Sequence, residues 1–160
     1  MGGVRPGETM GGMEAGAIRV MDREECLTLL SMVPVGRVAW ARPDGTLVVL
    51  PVNFTLDADT VVFRIPPGPI LEAIESGVPM AFEVDDMEPA MRTGWSVLLT
   101  GVGEVVRDPA ETGRLERLTG APWPELEDPV LVRLSLHRMA GRRLPLHPGG
   151  VVVERLHREP

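Results

Sequence analysis

The chain has 160 residues, 44% of them hydrophobic, and a net charge of −7. This size and composition predict one globular domain, and the negative charge argues against a nucleic-acid binder, which carries a basic patch. No apolar run reaches the roughly 18 residues of a membrane span, and Met1 to Gly16 lacks the apolar stretch of a signal peptide. A cytoplasmic protein without membrane or nucleic-acid partners is therefore expected.

Residue types that are missing or rare narrow the chemistry further. All 16 basic residues are arginine, which excludes a lysine Schiff base and the lysine of a phosphate-binding loop. The single cysteine, Cys26, permits neither an internal disulfide nor a cysteine-based metal cluster. The three histidines lie near the C-terminus without the spacing of a metal site.

Glycine, proline and aspartate residues mark the boundaries of the predicted helices and strands. Residues 1–18 are Gly-rich and predict a disordered tail, followed by one domain over residues 19–144 and a C-terminal extension of it over residues 145–160. Asp22 is a predicted N-cap for a first helix. Apolar runs between turn signals predict six strands, which are Val35–Ala41, Thr46–Leu56, Thr60–Ile65, Val78–Val84, Trp95–Val106 and Val130–Met139.

Two more short helices complete the prediction, one between Ile70 and Gly77 and one over Asp108–Leu118 with Asp108 as its N-cap. Asp85–Thr93 is predicted to be an acidic loop, and Val151–Leu156 a short extra strand after an irregular stretch. Strands joined mostly by short turns predict a mostly-β, six-stranded antiparallel barrel with a few short helices.

Three residues in the predicted strands have a functional and a structural interpretation. Pro51 suggests an edge or a bulge, whose free backbone donors could bind the edge of a planar ring, or it is a structural proline. Arg64 could hold a phosphate through its fork of N–H groups, or it is an arginine at the barrel rim. Trp95 could stack on an aromatic ligand, or it covers one end of the barrel.

The order of several short motifs carries a resemblance. These are Val35-Gly36-Arg37-Val38, Asp44-Gly45, Pro51-Val52-Asn53-Phe54, Val62-Phe63-Arg64, Gly94-Trp95-Ser96-Val97 and Ala140-Gly141-Arg142-Arg143. Over roughly residues 20–144 the chain resembles the pyridoxamine 5′-phosphate oxidase-like family. The resemblance implies a split β-barrel that forms a homodimer with two cofactor sites at its interface. The implied cofactor is FMN, with the deazaflavin F420 or haem in some branches.

The resemblance also implies the site residues by position. It places the flavin ring against the backbone of Pro51, Val52 and Asn53, and the phosphate near Arg64 and the turn after it. Trp95 and Ser96, from the partner subunit, would cover the other side of the ring. The residues after Arg64 depart from the family pattern, because Ile65, Pro69 and Ile70 stand where relatives carry Thr, Ser/Thr and Lys. Arg64, Ile65 and backbone N–H groups near Gly68 are then the expected phosphate contacts.

The sequence thus leads to an FMN-binding split-barrel protein acting as a flavin-dependent oxidoreductase on a small molecule. True pyridoxamine-phosphate oxidation is not expected, since no second set of basic residues is present for a substrate phosphate. The alternative is a dimeric split-barrel module that has lost its flavin, or that binds F420 or haem instead.

Overall fold

The computed structural model describes residues 17–145, which form nine strands and three short helices. The strands are β1 Arg19–Met21, β2 Val35–Ala41, β3 Leu47–Asp57, β4 Thr60–Ile65, β5 Pro79–Glu88, β6 Thr93–Val102, β7 Glu104–Val105, β8 Val130–Ser135 and β9 Met139–Leu144. The helices are α1 Arg23–Leu30, α2 Pro69–Glu75 and α3 Pro109–Thr119. The predicted tail up to residue 16, the extension from residue 146 onward and the predicted strand Val151–Leu156 lie outside the described residues.

All nine strands belong to one antiparallel sheet in the order β1-β9-β6-β5-β2-β3-β4-β8-β7. The sheet curls into a half-barrel. The Thr100 N–H donates to the Arg138 carbonyl at 3.0 Å and extends the β6–β9 pairing by one position. The predicted mostly-β antiparallel class with short helices is confirmed. The predicted number of six strands is wrong.

Three strands were missed at the two ends of the chain and beside Gly103. β1 has only three residues and exists because it pairs with β9, which the sequence analysis left as an irregular stretch. The predicted strand Val130–Met139 stops at Ser135, and β9 starts at Met139. The predicted strand Trp95–Val106 breaks at Gly103, so that β7 leaves β6 and pairs with β8.

The predicted acidic loop Asp85–Thr93 is wrong, because β5 runs through Glu88 before the chain turns into β6. Arg37 of β2 pairs with Glu83 and Asp85 of β5. Burial raises the pKa of Glu83, and the nearby charge of Asp85 raises it further. The acidic residues therefore belong to the outer face of a strand, where cross-strand charge pairs stabilise the sheet.

Three phenylalanines form the part of the core that lies beneath the candidate site. Phe54 meets Phe82 edge to face with ring centroids 5.2 Å apart, and Phe63 stacks on Phe82 at 5.6 Å. Gly36 of β2 leaves room for this cluster, since a Cβ there would lie 2.7 Å from Phe82 Cε1. The cluster thus ties β3, β4 and β5 together at one place.

The helices begin where the sequence predicts. Asp22 Oδ1 accepts the Glu25 N–H at 2.9 Å at the start of α1, and Asp108 Oδ1 accepts the Glu111 N–H at 2.8 Å at the start of α3. Within residues 17–145, no helix combines the length and the apolar character that crossing a membrane requires.

Candidate functional site

The candidate site lies where β3 and β4 separate. Their ladder runs only from Asp57 and Thr60 to Phe54 and Phe63. Beyond that point the preceding part of β3, from Leu47 to Asn53, pairs with β2 alone, while the end of β4 continues along β8. The strands therefore diverge and leave a cleft between two strand edges.

The hydrogen-bonding direction of β3 decides which backbone groups face this cleft. The Phe54 N–H donates to the Pro34 carbonyl at 3.1 Å, so the backbone polar groups of Phe54 and of Val52, two residues earlier, point toward β2. The backbone polar groups of Asn53 and Pro51 alternate with these and face the cleft. Because proline has no N–H, Pro51 offers only its carbonyl there, and Asn53 offers a backbone donor.

A cavity of about 400 Å³ fills the cleft. Besides residues 50–55 of β3 and 63–65 of β4, its described lining comprises Val35, Pro66, Ile70, Thr119, Pro122, Trp123, Pro124 and Leu126. The volume falls in the range of small-molecule sites, and a mostly apolar lining with a few polar groups is typical of them.

The segment from the last residue of α3 onward, residues 119–126, closes one side of the cavity and is called the cover segment below. Asn53 Oδ1 accepts the Trp123 N–H at 3.0 Å, and Asn53 Nδ2 donates to the Pro34 carbonyl at 3.3 Å. The guanidinium of Arg64 donates from Nη1 to the Gly120 carbonyl and from Nη2 to the Glu116 carbonyl at 3.3 Å. One residue from each diverging strand therefore holds the cover segment or the helix end before it.

Helix α3, which carries the cover segment, is docked on the sheet by charge pairs. Arg114 donates to both carboxylate oxygens of Asp57, at 2.9 and 2.6 Å, and to Glu111 at 2.8 Å. The hydrogen bonds from Arg114 hold the pKa of Asp57 below its usual value. Arg133 on β8 is paired with Glu104 at 2.8 Å and holds the pKa of that carboxyl down in the same way.

Five of the eight predicted site residues line this one cavity, namely Pro51, Val52, Asn53, Arg64 and Ile65. Gly68 does not belong to the described lining. It precedes α2 with a φ of 138° and accepts the Glu72 N–H at 3.1 Å through its carbonyl. The contribution of Gly68 to a phosphate site stays a prediction.

The other two predicted residues, Trp95 and Ser96, lie elsewhere in the same chain. They belong to β6, which β5 and β2 separate from β3 in the sheet. Trp95 is 8% exposed and packs in the core, so little of its ring surface is open to a ligand in one chain. Their predicted role across a subunit interface stays a prediction.

Sequence analysis missed Trp123 and gave it no function. This side chain is 73% exposed and lines the cavity. The available signal was local: a tryptophan between Pro122 and Pro124 in a loop is an unusual large apolar group held in a stiff backbone. Within residues 17–145 no group of histidine, cysteine, aspartate and glutamate is arranged to hold a metal ion.

Comparison with known proteins gives a consistent family match. The sequence model of the family described as Pyridoxamine 5′-phosphate oxidase matches residues 22–143. An uncharacterised protein of Mycobacterium tuberculosis is 32% identical over 129 residues, which are 78% of this chain and 84% of that protein.

Two solved structures from Mycobacterium smegmatis share the fold. The FAD binding protein is 30% identical with a TM-score of 0.64, and the match covers 79% of this chain and 98% of that one. The FAD and haem binding protein is 25% identical with a TM-score of 0.66, and the match covers 81% of this chain and 74% of that one.

The Asp57–Arg114 pair leads to a prediction about pH. The folded-state pKa of Asp57 lies below its unfolded value, so its contribution is present above about pH 4 and is lost as the pH falls through the folded pKa. Asp57→Asn should lower the free energy of unfolding at pH 7 by about 0.5–1 kcal/mol, and the difference from wild type should shrink below about pH 4. Urea unfolding across this pH range measures it.

Asp86→Asn on β5 is the matched control, because within the described residues Asp86 makes no ion pair. Equal destabilisation of Asp57→Asn at pH 7 and pH 3 would contradict an electrostatic role for the pair.

Proposed function

Because the chain belongs to the pyridoxamine 5′-phosphate oxidase family, we propose that it binds a flavin non-covalently in the cavity between β3 and β4. The observation that carries the proposal is the open edge of β3, where an apolar cavity meets a backbone N–H at Asn53. A planar ring with polar atoms along its edge matches this combination. The FAD-binding relative from M. smegmatis supports a flavin as the ligand.

Polar groups inside the cavity support the same ligand. Thr119 Oγ1 is buried and, within the described chain, has no hydrogen-bond partner. Since a buried polar atom normally finds a partner, Thr119 is suited to bind a polar atom of the ring. Pro51, Val52 and Asn53 then lie along the ring as the family resemblance implies.

The described cavity lining offers few groups for the phosphate end of the ligand. Arg64 is the single charged side chain in the described lining, and both of its terminal nitrogens are engaged with carbonyls. The cavity therefore fits the ring better than the phosphate. FMN is our proposal for the flavin, with FAD as the alternative that the M. smegmatis relative suggests.

We propose an oxidoreductase activity on a small molecule, located in the cytoplasm. A bound flavin supplies the electron or hydride transfer, and the protein supplies binding and orientation. The described lining contains no histidine, cysteine, lysine or carboxylate. These residues therefore act by holding the ring and keeping water from one of its faces.

The alternative ligands differ in what they require of this cavity. Haem needs an axial ligand to its iron, and the described lining offers no histidine, cysteine, methionine or tyrosine. F420 has a deazaflavin ring, which would occupy the same ring site as a flavin. A protein that binds none of them would be the ligand-free module that the sequence left as an alternative.

A pair of identical substitutions tests the flavin site. Val52 lines the cavity, whereas Val20 on β1 is 77% exposed and is not part of the described lining. Val52→Trp should fill part of the cavity and weaken flavin binding about tenfold or more, equivalent to about 1.4 kcal/mol. Val20→Trp should leave the affinity unchanged. Fluorescence quenching of FMN, FAD and riboflavin during titration measures the dissociation constants.

Two results would count against the proposal. If Val52→Trp binds as tightly as wild type, the flavin lies outside this cavity. If wild type binds none of the three flavins but gives the absorption of bound F420 or haem when either is added, that alternative takes its place.

We also propose that the protein is a homodimer. Leu47 and Val49 are 79% and 59% exposed on β3, next to the cavity-lining part of the strand. Adjacent exposed apolar side chains on a strand are typical of surfaces that bind another protein. Sedimentation equilibrium at micromolar concentration should give twice the mass of one chain, and the mass of a single chain would refute the dimer.

A further inference from the structure

Trp123 stands apart from the other two tryptophans. Trp40 and Trp95 are 4% and 8% exposed, whereas Trp123 is 73% exposed although it is the largest side chain in the described cavity lining. Exposure of an aromatic ring to water is unfavourable, and the ring offers a flat apolar face. The position of Trp123 therefore indicates a ligand in the cavity that covers this face.

The backbone around Trp123 is held rigidly. Pro122 and Pro124 restrict the chain on both sides of it, and the Trp123 N–H donates to Asn53 Oδ1 at 3.0 Å. A preorganised aromatic wall loses little conformational entropy when a ligand stacks on it.

Arg64 holds the start of the same segment. Asn53 directly precedes the last paired position of β3, and Arg64 directly follows that of β4, so the two residues flank the opening of the cleft. The guanidinium donates to two carbonyls at the C-terminal end of α3, where the helix dipole favours a positive charge. A forked grip on a phosphate uses two N–H groups of the guanidinium, and Nη1 and Nη2 are both engaged with these carbonyls.

We infer that Trp123 is the face on which a planar aromatic ligand stacks, and that Asn53 and Arg64 are positioning residues that hold it there. Arg64 then acts on the ring through the cover segment and does not bind the phosphate. The inference rests on the proposed flavin site and deepens it, because recognition is assigned to the ring system. If the Arg64 guanidinium turned to bind a phosphate, the Gly120 and Glu116 carbonyls would lose these hydrogen bonds, and the folded state would be less stable.

The first experiment compares a flavin with and without its phosphate. Trp123→Ala should weaken riboflavin about five- to tenfold, in line with the stacking of aromatic rings, and Trp123→Phe should recover most of the loss. Arg64→Ala should weaken riboflavin and FMN by the same factor. Arg42→Ala, in the turn between β2 and β3, is the matched arginine control and should change neither. If Arg64→Ala weakens FMN and leaves riboflavin unchanged, Arg64 is a phosphate ligand and the inference is wrong.

The second experiment needs no flavin. Hydrogen–deuterium exchange followed by mass spectrometry should show faster exchange over residues 119–126 in Arg64→Ala and in Asn53→Ala, with β2 unchanged. Asn53→Asp keeps an oxygen for the Trp123 N–H and should exchange more slowly than Asn53→Ala. Unchanged exchange in both alanine variants would overturn the positioning role. If wild type binds neither flavin, the proposed function fails and the stacking role of Trp123 with it, while the exchange result still decides the positioning role.

Discussion

The site depends on one constraint in the sheet. The pairing of β3 with β4 ends at Phe54 and Phe63, so Asn53 before Phe54 and Arg64 after Phe63 do not pair with each other. Proline enforces the separation on both sides. Pro51 faces the β4 side of its strand and has no N–H to give to a continued ladder, and Pro66 follows the last residue of β4. The edge of β3 is thereby kept open, and its Asn53 N–H remains directed into a cleft. A regular β3–β4 ladder would consume this donor and close the cavity.

The rest of the molecule holds this opening at a fixed width. Beneath it, the cluster of Phe54, Phe63 and Phe82 locks the last paired positions of the two strands to β5. Above it, α3 is docked on the sheet through Arg114 and Asp57, and the cover segment is bound from both strands, through Asn53 to Trp123 and Arg64 to Gly120. The cavity is thus bounded by backbone edges and a stiff loop rather than by long mobile side chains. Such a site favours a flat, rigid ligand, which fits the family to which the chain belongs.

Local signals predicted much of the fold. The bounds of β2 and β4 and the N-caps Asp22 and Asp108 were correct, because turn residues and capping side chains act over a few positions. The acidic end of β5 was missed because a run of carboxylates facing solvent resembles a loop, whereas Asp85 pairs with Arg37 on a neighbouring strand. Pro51, Val52 and Asn53 line the cavity. The proline within a strand signalled a free edge, and the family resemblance supplied the other two positions. The cover segment could not be predicted in this way. Asn53 and Trp123, which are in contact, lie 70 positions apart in the sequence, and Arg64 and Gly120 lie 56 positions apart. No local sequence pattern predicts either contact.

The central claim, that the open edge of β3 receives the ring of a flavin, is tested most directly by nuclear magnetic resonance of the ¹⁵N-labelled protein. The three tryptophan indoles and the Asn53 amide are separate probes of the cavity and of the core. On addition of riboflavin, the Asn53 amide and the Trp123 indole resonances should move, while those of the buried Trp40 indole stay in place. Movement of the Trp95 indole and the Ser96 amide, with Asn53 and Trp123 unchanged, would place the ring away from this edge and contradict the account.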